Sequence, residues 1–107
     1  MNKVLFSIIT PVYNREDCIK RCIRSVQDNS YKNFEHIIID DGSSDATYSK
    51  SINLKEKYSN IVLLKNPENN GVCYSFNRGI EKSMGDYVIF LGSDDTLSSN
   101  ALQNINE

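Results

Sequence analysis

Two pairs of adjacent carboxylates are the residues of this sequence best suited to chemistry. Asp40-Asp41 follows the apolar segment Phe34–Ile39, and Asp94-Asp95 follows Tyr87–Leu91. Both segments are rich in β-branched and aromatic residues, which predicts strands, and the pattern of Tyr87–Leu91 predicts one buried on both faces. Carboxylate oxygens suit a hard cation such as Mg²⁺ or Mn²⁺ that also binds ligand phosphates. Asp is also common in turns and helix N-caps, so either pair alone is compatible with a structural role.

A loop after the first apolar segment could complete a nucleotide site beside these acids. Pro11-Val12-Tyr13-Asn14 follows Lys3–Thr10, and Pro11 is expected to end that strand because proline cannot donate to a β-ladder. Tyr13 could stack on a flat base, and a carboxylate can accept hydrogen bonds from a base or a ribose. A cation there would neutralise a diphosphate leaving group. The parts together indicate a nucleotide-diphosphate site.

Strands and helices alternate along the chain. Strands are predicted at residues 3–10, 34–39, 61–64 and 87–91, and helices at 15–29, 46–58, 72–83 and from 98 onward. This βαβαβαβα order predicts an α/β fold of three layers, a mainly parallel sheet with helices on its faces. The loops that follow the strands would then meet at one edge, which is where ligands bind in open α/β sheets.

Apolar residues at helical spacing predict which side of each helix packs inward. The first helix is expected to begin after Asn14 as its N-cap, and the second to turn Tyr48 and Ile52 inward. The apolar positions of the first and third helices are Ile19, Cys22, Ile23 and Val26, and Val72, Phe76, Ile80 and Met84, respectively.

The positions of two further residues, Gly79 and His36, predict structural roles for them. Gly79 lies inside a predicted helix, where glycine is unfavourable, so a close packing contact is implied. His36 lies at the opposite end of its strand from Asp40-Asp41, so a strand residue is a better interpretation than a catalytic base.

The totals describe one small domain. The chain has 107 residues, a formal net charge of −2 and 39% hydrophobic residues. The mild acidity argues against a nucleic-acid partner, which would need a basic face, and no apolar segment approaches the ~20 residues of a membrane helix. No signal-peptide cleavage site follows the N-terminal segment, so a cytoplasmic protein is expected, with association at the inner face of the membrane left open.

The cysteines do not indicate a disulfide framework or a zinc site. Cys18, Cys22 and Cys73 are odd in number and form no CxxC pair. Buried or half-buried thiols are therefore expected.

Other nucleotide-binding folds lack their motifs here. A dinucleotide-binding domain needs GxGxxG after the first strand, but the first glycine is Gly42. No GxxxxGK[ST] loop occurs either. A phosphoacceptor signalling domain would place an acid pair after the first strand, where Pro11–Asn14 contains none.

The motifs in order resemble the family-two glycosyltransferases of the GT-A fold. The segments that carry the resemblance are FSIITPVYNRE, IIIDDGSSD, NNG…NRGI and GDYVIFLGSDD. The resemblance implies that residues 1–107 are the donor-binding, N-terminal part of a longer inverting glycosyltransferase. It also implies a nucleotide-diphosphate sugar donor, usually a UDP-sugar, with Mn²⁺ or Mg²⁺.

The resemblance assigns roles to six residues. Pro11 and Tyr13 would line the nucleoside pocket, Asp41 would bind the base, and Glu16 would support the loop. Asp95 would bind the metal, and Asp94 would lie nearer the ribose and the diphosphate while also serving the metal motif.

This sequence departs from the family at three places. Many relatives have Asp where Gly92 stands, and many have Arg where Phe76 stands, so a basic contact would fall to Arg78 or be absent. A solvated helix residue is the simpler interpretation of Arg78. The acceptor-binding half and the general base are expected beyond Glu107.

A second function stays open. The chain could be a non-catalytic module that binds a nucleotide or a protein partner. Apolar surface left bare by an incomplete fold would favour a homodimer. The sugar and its glycan, lipid or protein acceptor are not indicated by the sequence.

Overall fold

The computed structural model describes residues 4–106, in which four strands and four helices alternate. They are β1 (Phe6–Val12), α1 (Ile19–Gln27), β2 (Phe34–Asp41), α2 (Thr47–Lys57), β3 (Ile61–Asn66), α3 (Val72–Lys82), β4 (Tyr87–Phe90) and α4 (Ala101–Asn106). The predicted order is confirmed. Lys3 and Glu107, the outer ends of the first predicted strand and the last predicted helix, lie outside the described residues.

The four strands form one parallel sheet in the order β3-β2-β1-β4. Every residue of β1 is buried, because β1 has a strand on each side and helices over both faces. Pro11 lies inside β1, not after it, since β1 continues to Val12 in register with β2. The Leu91 N–H donates to the Ile9 carbonyl, so the Pro11 nitrogen, two residues on, points to the side where β4 has ended and needs no donor.

Alternate strand residues pack against different helices, which gives the three predicted layers. On one face, Phe6 and Ile8 pack with Cys22 and Val26 of α1 and with Leu102 of α4. A neighbouring cluster on that face joins α1 to α2. On the other face, Ile9, Ile37 and Ile39 pack against Phe76 of α3. The apolar positions predicted for α1 are all buried.

Gly79 of α3 makes the close contact that its position implies. A Cβ built there would lie 2.5 Å from Ile9 Cγ2 and 3.0 Å from Ile39 Cδ1. The absent side chain therefore lets α3 approach the sheet, and Gly79 is itself buried.

Gly79→Val is expected to lower the free energy of unfolding by about 2–3 kcal/mol, because overpacking outweighs the better helix propensity. Urea titration followed by circular dichroism measures it. Glu81→Val, on the exposed side of the same helix, is the control and should change stability by less than about 0.5 kcal/mol. Equal stability of the Gly79 variant and the wild type would show that α3 does not depend on this contact.

Three predictions about side-chain burial are wrong. Tyr87–Leu91 is not buried on both faces: Tyr87 is 56% and Phe90 51% exposed, because β4 is the edge strand and pairs only with β1. Of the apolar positions predicted for the third helix, Val72, Ile80 and Met84 are exposed, and α3 ends at Lys82, before Met84; α3 instead buries Ser75 and Gly79 against the sheet. In α2, the buried residues are Thr47, Ser51 and Leu54, whereas Ile52 is exposed and Tyr48 is half-buried.

The cysteine prediction holds for two of the three residues. All three thiols are free. Cys22 is buried and Cys18 is half-buried, but Cys73 is exposed. Burial raises the pKa of the Cys22 thiol to about 12, so this thiol stays protonated and unreactive.

His36 lies near the start of β2, as predicted, and the structure shows that it is fully buried. Its Nε2 lies 2.8 Å from Thr10 Oγ1, and its Nδ1 has no hydrogen-bond partner among residues 4–106. Burial lowers the pKa of His36 from 6.5 to about 3.

Stability is therefore expected to fall on mild acidification, because below pH 6.5 the unfolded chain binds a proton that the folded protein excludes. The loss between pH 6.5 and pH 5 should be about 2 kcal/mol. Denaturant titrations at pH 7, 6 and 5 measure it. His36→Gln should remove the slope in this window, and a slope that persists in the variant would assign it to another group.

No helix of residues 4–106 has the length and hydropathy needed to span a bilayer.

Candidate functional site

A cavity of about 430 Å³ opens at the carboxyl edge of the sheet, where the loops after β1, β2, β3 and β4 meet. Its lining residues come from the ends of β1 and β2, the loops after β1, β3 and β4, and the start of α3: Pro11, Val12, Tyr13, Asn14, Arg15, Asp41, Asn69, Gly71, Val72 and Ser93. Parallel strands bring these loops together, as the sequence pattern predicts. The structure thus places Pro11, Tyr13 and Asp41 around one cavity.

The loops after β1 and β2 are joined by hydrogen bonds through Asn14. Asn14 Oδ1 accepts from the Ser44 N–H at 2.9 Å and the Asp45 N–H at 3.3 Å, and the Asn14 N–H donates to Ser43 Oγ at 2.9 Å. Asn14 has a left-handed backbone with φ of 51°. Its prediction as the N-cap of the first helix is wrong, because the side chain serves the neighbouring loop and α1 begins at Ile19.

Tyr13 lies at the opening of the cavity and is 44% exposed. Asn14, the residue after Tyr13, is held by its hydrogen bonds to the loop after β2. The Tyr13 ring therefore extends toward the solvent from an ordered backbone. A base could stack on such a ring.

Asp41 ends β2 and is 3% exposed. Its Oδ1 accepts from Asn66 Nδ2 and from the Asn70 N–H, both at 2.8 Å, and its Oδ2 accepts from the Gly71 N–H at 2.9 Å. Burial alone would raise the pKa of Asp41, but these hydrogen bonds and the Ser75 hydroxyl hold it below its ordinary value. Asp41 is therefore a fixed, ionised acceptor that also holds the loop after β3 in place.

Asp40, the other acid of this pair, has a different environment. It is fully buried, and its Oδ2 accepts from the Ser43 N–H at 3.1 Å, which closes a turn. The pair therefore divides into one acid in the turn and one at the cavity.

Asp94 and Asp95 lie just past the cavity-lining Ser93, and both are exposed. Their carboxylates converge over Gly92: an ideal Cβ at Gly92 would lie 2.8 Å from Asp95 Oδ2 and 3.3 Å from Asp94 Oδ1. The two carboxylates thus lie in the space that a side chain at position 92 would enter. In residues 4–106 no group of three or more His, Cys, Asp or Glu side chains could hold a metal, so a cation at this pair would need further oxygen ligands.

Glu16 does not line the cavity. Its N–H lies 3.4 Å from Asp45 Oδ2 and its carbonyl accepts from Lys50 Nζ at 2.9 Å. The Glu16 side chain also hydrogen-bonds Asp45, so both the backbone and the carboxyl group of Glu16 contact the loop after β2.

Five cavity-lining residues beyond the loop Pro11–Asn14 were given no role in the site from the sequence: Arg15, Asn69, Gly71, Val72 and Ser93. Arg15 and Ser93 lie within the segments that carry the resemblance, and Arg15 brings a positive charge to a site with acids. Arg78 was interpreted as solvated, but it is half-buried and donates to Asn66 Oδ1 at 2.6 Å and to the Lys65 carbonyl at 3.1 Å. No sequence signal connects Arg78 to Asn66, because the contact crosses from helix to strand.

The family model described as glycosyl transferase family 2 matches residues 7–107. The chain belongs to this family. The match includes all the residues that line the cavity, and it confirms the resemblance that the motifs indicate.

Two curated relatives are similar over nearly the whole chain. An uncharacterized glycosyltransferase of Haemophilus influenzae is 42% identical over 103 residues, which are 96% of this chain and 41% of the relative. The amylovoran biosynthesis glycosyltransferase AmsB of Erwinia amylovora is 37% identical over 106 residues, which are 96% of this chain and 35% of that protein. The chain thus spans about two fifths or less of the length of these relatives.

The fold is similar to that of solved glycosyltransferases. The crystal structure of residues 1–349 of S. aureus TarS in complex with UDP superposes with a TM-score of 0.86 at 27% identity. The superposition covers 94% of this chain and 30% of that one. The α/β architecture of this family-2 chain is therefore the GT-A fold, as predicted.

Proposed function

We propose that residues 1–107 form the donor-binding, N-terminal part of a glycosyltransferase that uses a nucleotide-diphosphate sugar, with a UDP-sugar as the donor. The observation that carries the proposal is the cavity at the carboxyl edge of the sheet, which brings an exposed aromatic ring, Tyr13, and a fixed carboxylate, Asp41, to one opening. A base can stack on the first and donate an N–H to the second. The similarity to a protein solved with UDP supports the choice of nucleotide.

Asp94 and Asp95 would hold a divalent cation, Mn²⁺ or Mg²⁺, in this proposal. The pair fits such a group because its carboxylates converge beside the cavity and phosphate oxygens can complete the coordination. A bound cation would neutralise the diphosphate leaving group. Arg15, on the cavity wall, would add a second positive charge near the phosphates.

Transfer with inversion needs a general base and an acceptor site. We propose that both lie outside these 107 residues, in the part of the relatives that the chain does not span. The acceptor class and a cytoplasmic location stay predictions.

Calorimetric titration of the chain with UDP, GDP, ADP and dTDP, each with and without Mn²⁺, tests the proposal. We expect UDP to bind most tightly, and its binding to be much weaker without Mn²⁺. Tyr13→Ala should weaken every nucleotide by about tenfold, since base–aromatic stacking contributes about 1–3 kcal/mol. Heat signals that are absent for all four nucleotides would refute donor binding by this chain.

The second candidate is a module that binds a partner, and the apolar face of α3 and β4 favours it. This α3–β4 face consists of Phe76, Ile80, Val88 and Phe90, and all but half-buried Phe76 are more than 40% exposed. The rings of Phe76 and Phe90 lie 5.4 Å apart in an edge-on arrangement. The free edge of β4 could pair with another strand, including that of a second copy.

Sedimentation velocity over a range of concentrations distinguishes the two candidates. A concentration-dependent dimer that Phe90→Ser abolishes, together with no nucleotide binding, would favour the partner-binding module. A monomer that binds UDP would favour the donor-binding part.

A further inference from the structure

A chain of hydrogen-bonded side chains runs from Arg78 of α3 through Asn66 at the end of β3 to Asp41 at the end of β2. Arg78 Nη1 lies 2.6 Å from Asn66 Oδ1, and Asn66 Nδ2 lies 2.8 Å from Asp41 Oδ1 and 2.9 Å from Ser75 Oγ. Asn66 and Ser75 are fully buried. Asn66 is the register partner of Asp41 on the adjacent strand, so the two side chains lie next to each other on the same face of the sheet.

Arg78 determines which way the Asn66 amide points. A guanidinium has only donors, so it must face the amide oxygen, and the amide NH₂ then faces Asp41. The reverse orientation would place NH₂ against the guanidinium and the amide oxygen against the carboxylate. Arg78 is itself held by its second bond, to the Lys65 carbonyl at 3.1 Å.

The result is an asymmetric carboxylate at the cavity. Oδ1 receives two donors, the Asn66 amide and the Asn70 N–H, which fill its two acceptor positions. Oδ2 receives one backbone donor, the Gly71 N–H, and therefore keeps capacity for a ligand N–H, while the Ser75 hydroxyl also hydrogen-bonds the carboxylate. A ligand edge that needs both carboxylate oxygens cannot be accommodated without displacing Asn66.

We propose that Asn66 and Arg78 are positioning residues that set the base specificity of the site by occupying Asp41 Oδ1, so that only a base with a single N–H donor on its recognised edge binds well. A pyrimidine imide, as in uracil or thymine, has one such donor. Guanine presents two adjacent donors and would need both oxygens. The inference rests on the proposed function and adds a physical cause for the preference of the site for UDP.

The test compares UDP and GDP affinities, with Mn²⁺, in the wild-type chain and in matched variants. The wild type should prefer UDP by at least about tenfold. Arg78→Met should weaken UDP by about tenfold, because Asp41 loses a fixed donor, and should reduce the UDP preference to about threefold or less. Asn66→Ala, which opens Oδ1 directly, should reduce the preference in the same way, and Arg78→Lys should restore part of it.

Lys82→Met is the matched control. Lys82 is one turn further along α3, is exposed, and carries the same charge. The Lys82 variant should keep both the UDP affinity and the preference. Equal weakening of UDP and GDP by Arg78→Met and Asn66→Ala, with the preference unchanged, would overturn the inference and leave a purely structural role.

A second measurement separates this inference from the proposed function. In ¹⁵N spectra without nucleotide, the Asn70 and Gly71 amide signals should shift in Arg78→Met and Asn66→Ala but not in Lys82→Met. If the wild type bound no nucleotide, the proposed function would fail, and the same shifts would still support the fixing of Asp41. Unshifted Asn70 and Gly71 signals in the Arg78 and Asn66 variants would overturn the claim that these two residues fix Asp41.

Discussion

Asp95→Asn is expected to weaken Mn²⁺-dependent binding of UDP by about 100-fold or more. The substitution replaces one of the two carboxylates that converge over Gly92 by a neutral amide of the same shape. Changes in the outer shell of a metal site already cost about 10–100-fold, so losing a ligand should cost at least as much. Calorimetric titration with and without Mn²⁺ measures the UDP affinity in each condition and hence the part of it that depends on Mn²⁺.

The weak binding that remains without Mn²⁺ should be the same in the variant and the wild type. Glu56→Gln is the control, because Glu56 is an exposed acid at the far end of α2 and the substitution removes the same charge away from the cavity. It should change the UDP affinity neither with nor without Mn²⁺. Retention of Mn²⁺-dependent affinity in Asp95→Asn would show that the cation binds elsewhere.

Gly42→Ala is expected to destabilise the fold by about 2–3 kcal/mol and to abolish nucleotide binding. Gly42 has φ of +73°, and a Cβ there would lie 2.5 Å from the Glu68 carbonyl carbon and 2.7 Å from the Asn69 nitrogen. Both are backbone atoms, so the loop after β3 must move. That movement would break the Asn70 and Gly71 hydrogen bonds to Asp41.

Gly71→Ala separates the two causes of the expected destabilisation at Gly42, which are the positive φ and the close approach of the Glu68 and Asn69 backbone. Gly71 also has a positive φ, +95°, but an added Cβ would meet nothing within 4 Å. It should therefore cost only the backbone strain, about 1–2 kcal/mol. Thermal unfolding of both variants measures the difference, and equal losses would show that the close approach at Gly42 contributes nothing.

The strand–helix order and the edge that carries the site could be predicted because they depend on local patterns. Apolar β-branched segments that end in Asp40-Asp41 and Asp94-Asp95 identify both the strands and the loops after them. Parallel topology then brings these loops together whatever the details of packing. The same holds for Gly79, whose unfavourable position in a helix already implies a contact.

The burial of β4 and of α3 could not be predicted, because it depends on which element is outermost. Tyr87–Phe90 has the composition of a central strand, yet the strand order places it at the edge of the described sheet. Val72, Ile80 and Met84 have helical spacing, yet only the small residues Ser75 and Gly79 let α3 approach the sheet closely. Periodicity shows that a side is apolar and does not show what covers it.

The polar contacts around the site could not be predicted for another reason, which is that they join residues far apart in sequence. Asn14 has the residue type and position of an N-cap, but its side-chain oxygen Oδ1 accepts from the backbone N–H groups of Ser44 and Asp45, 30 and 31 residues further along. Asn66 and Arg78 belong to no motif, and their significance depends on the register that sets Asn66 beside Asp41. Such contacts emerge only from the folded chain.

A crystal structure of the chain with UDP and Mn²⁺ tests the central claim most directly, because anomalous scattering locates the manganese independently of the nucleotide. The account predicts uracil between Tyr13 and Asp41, with its N–H on Asp41 Oδ2, and manganese between the diphosphate and Asp95. UDP bound at any place other than the cavity at the carboxyl edge of the sheet, or manganese remote from Asp94 and Asp95, would contradict it.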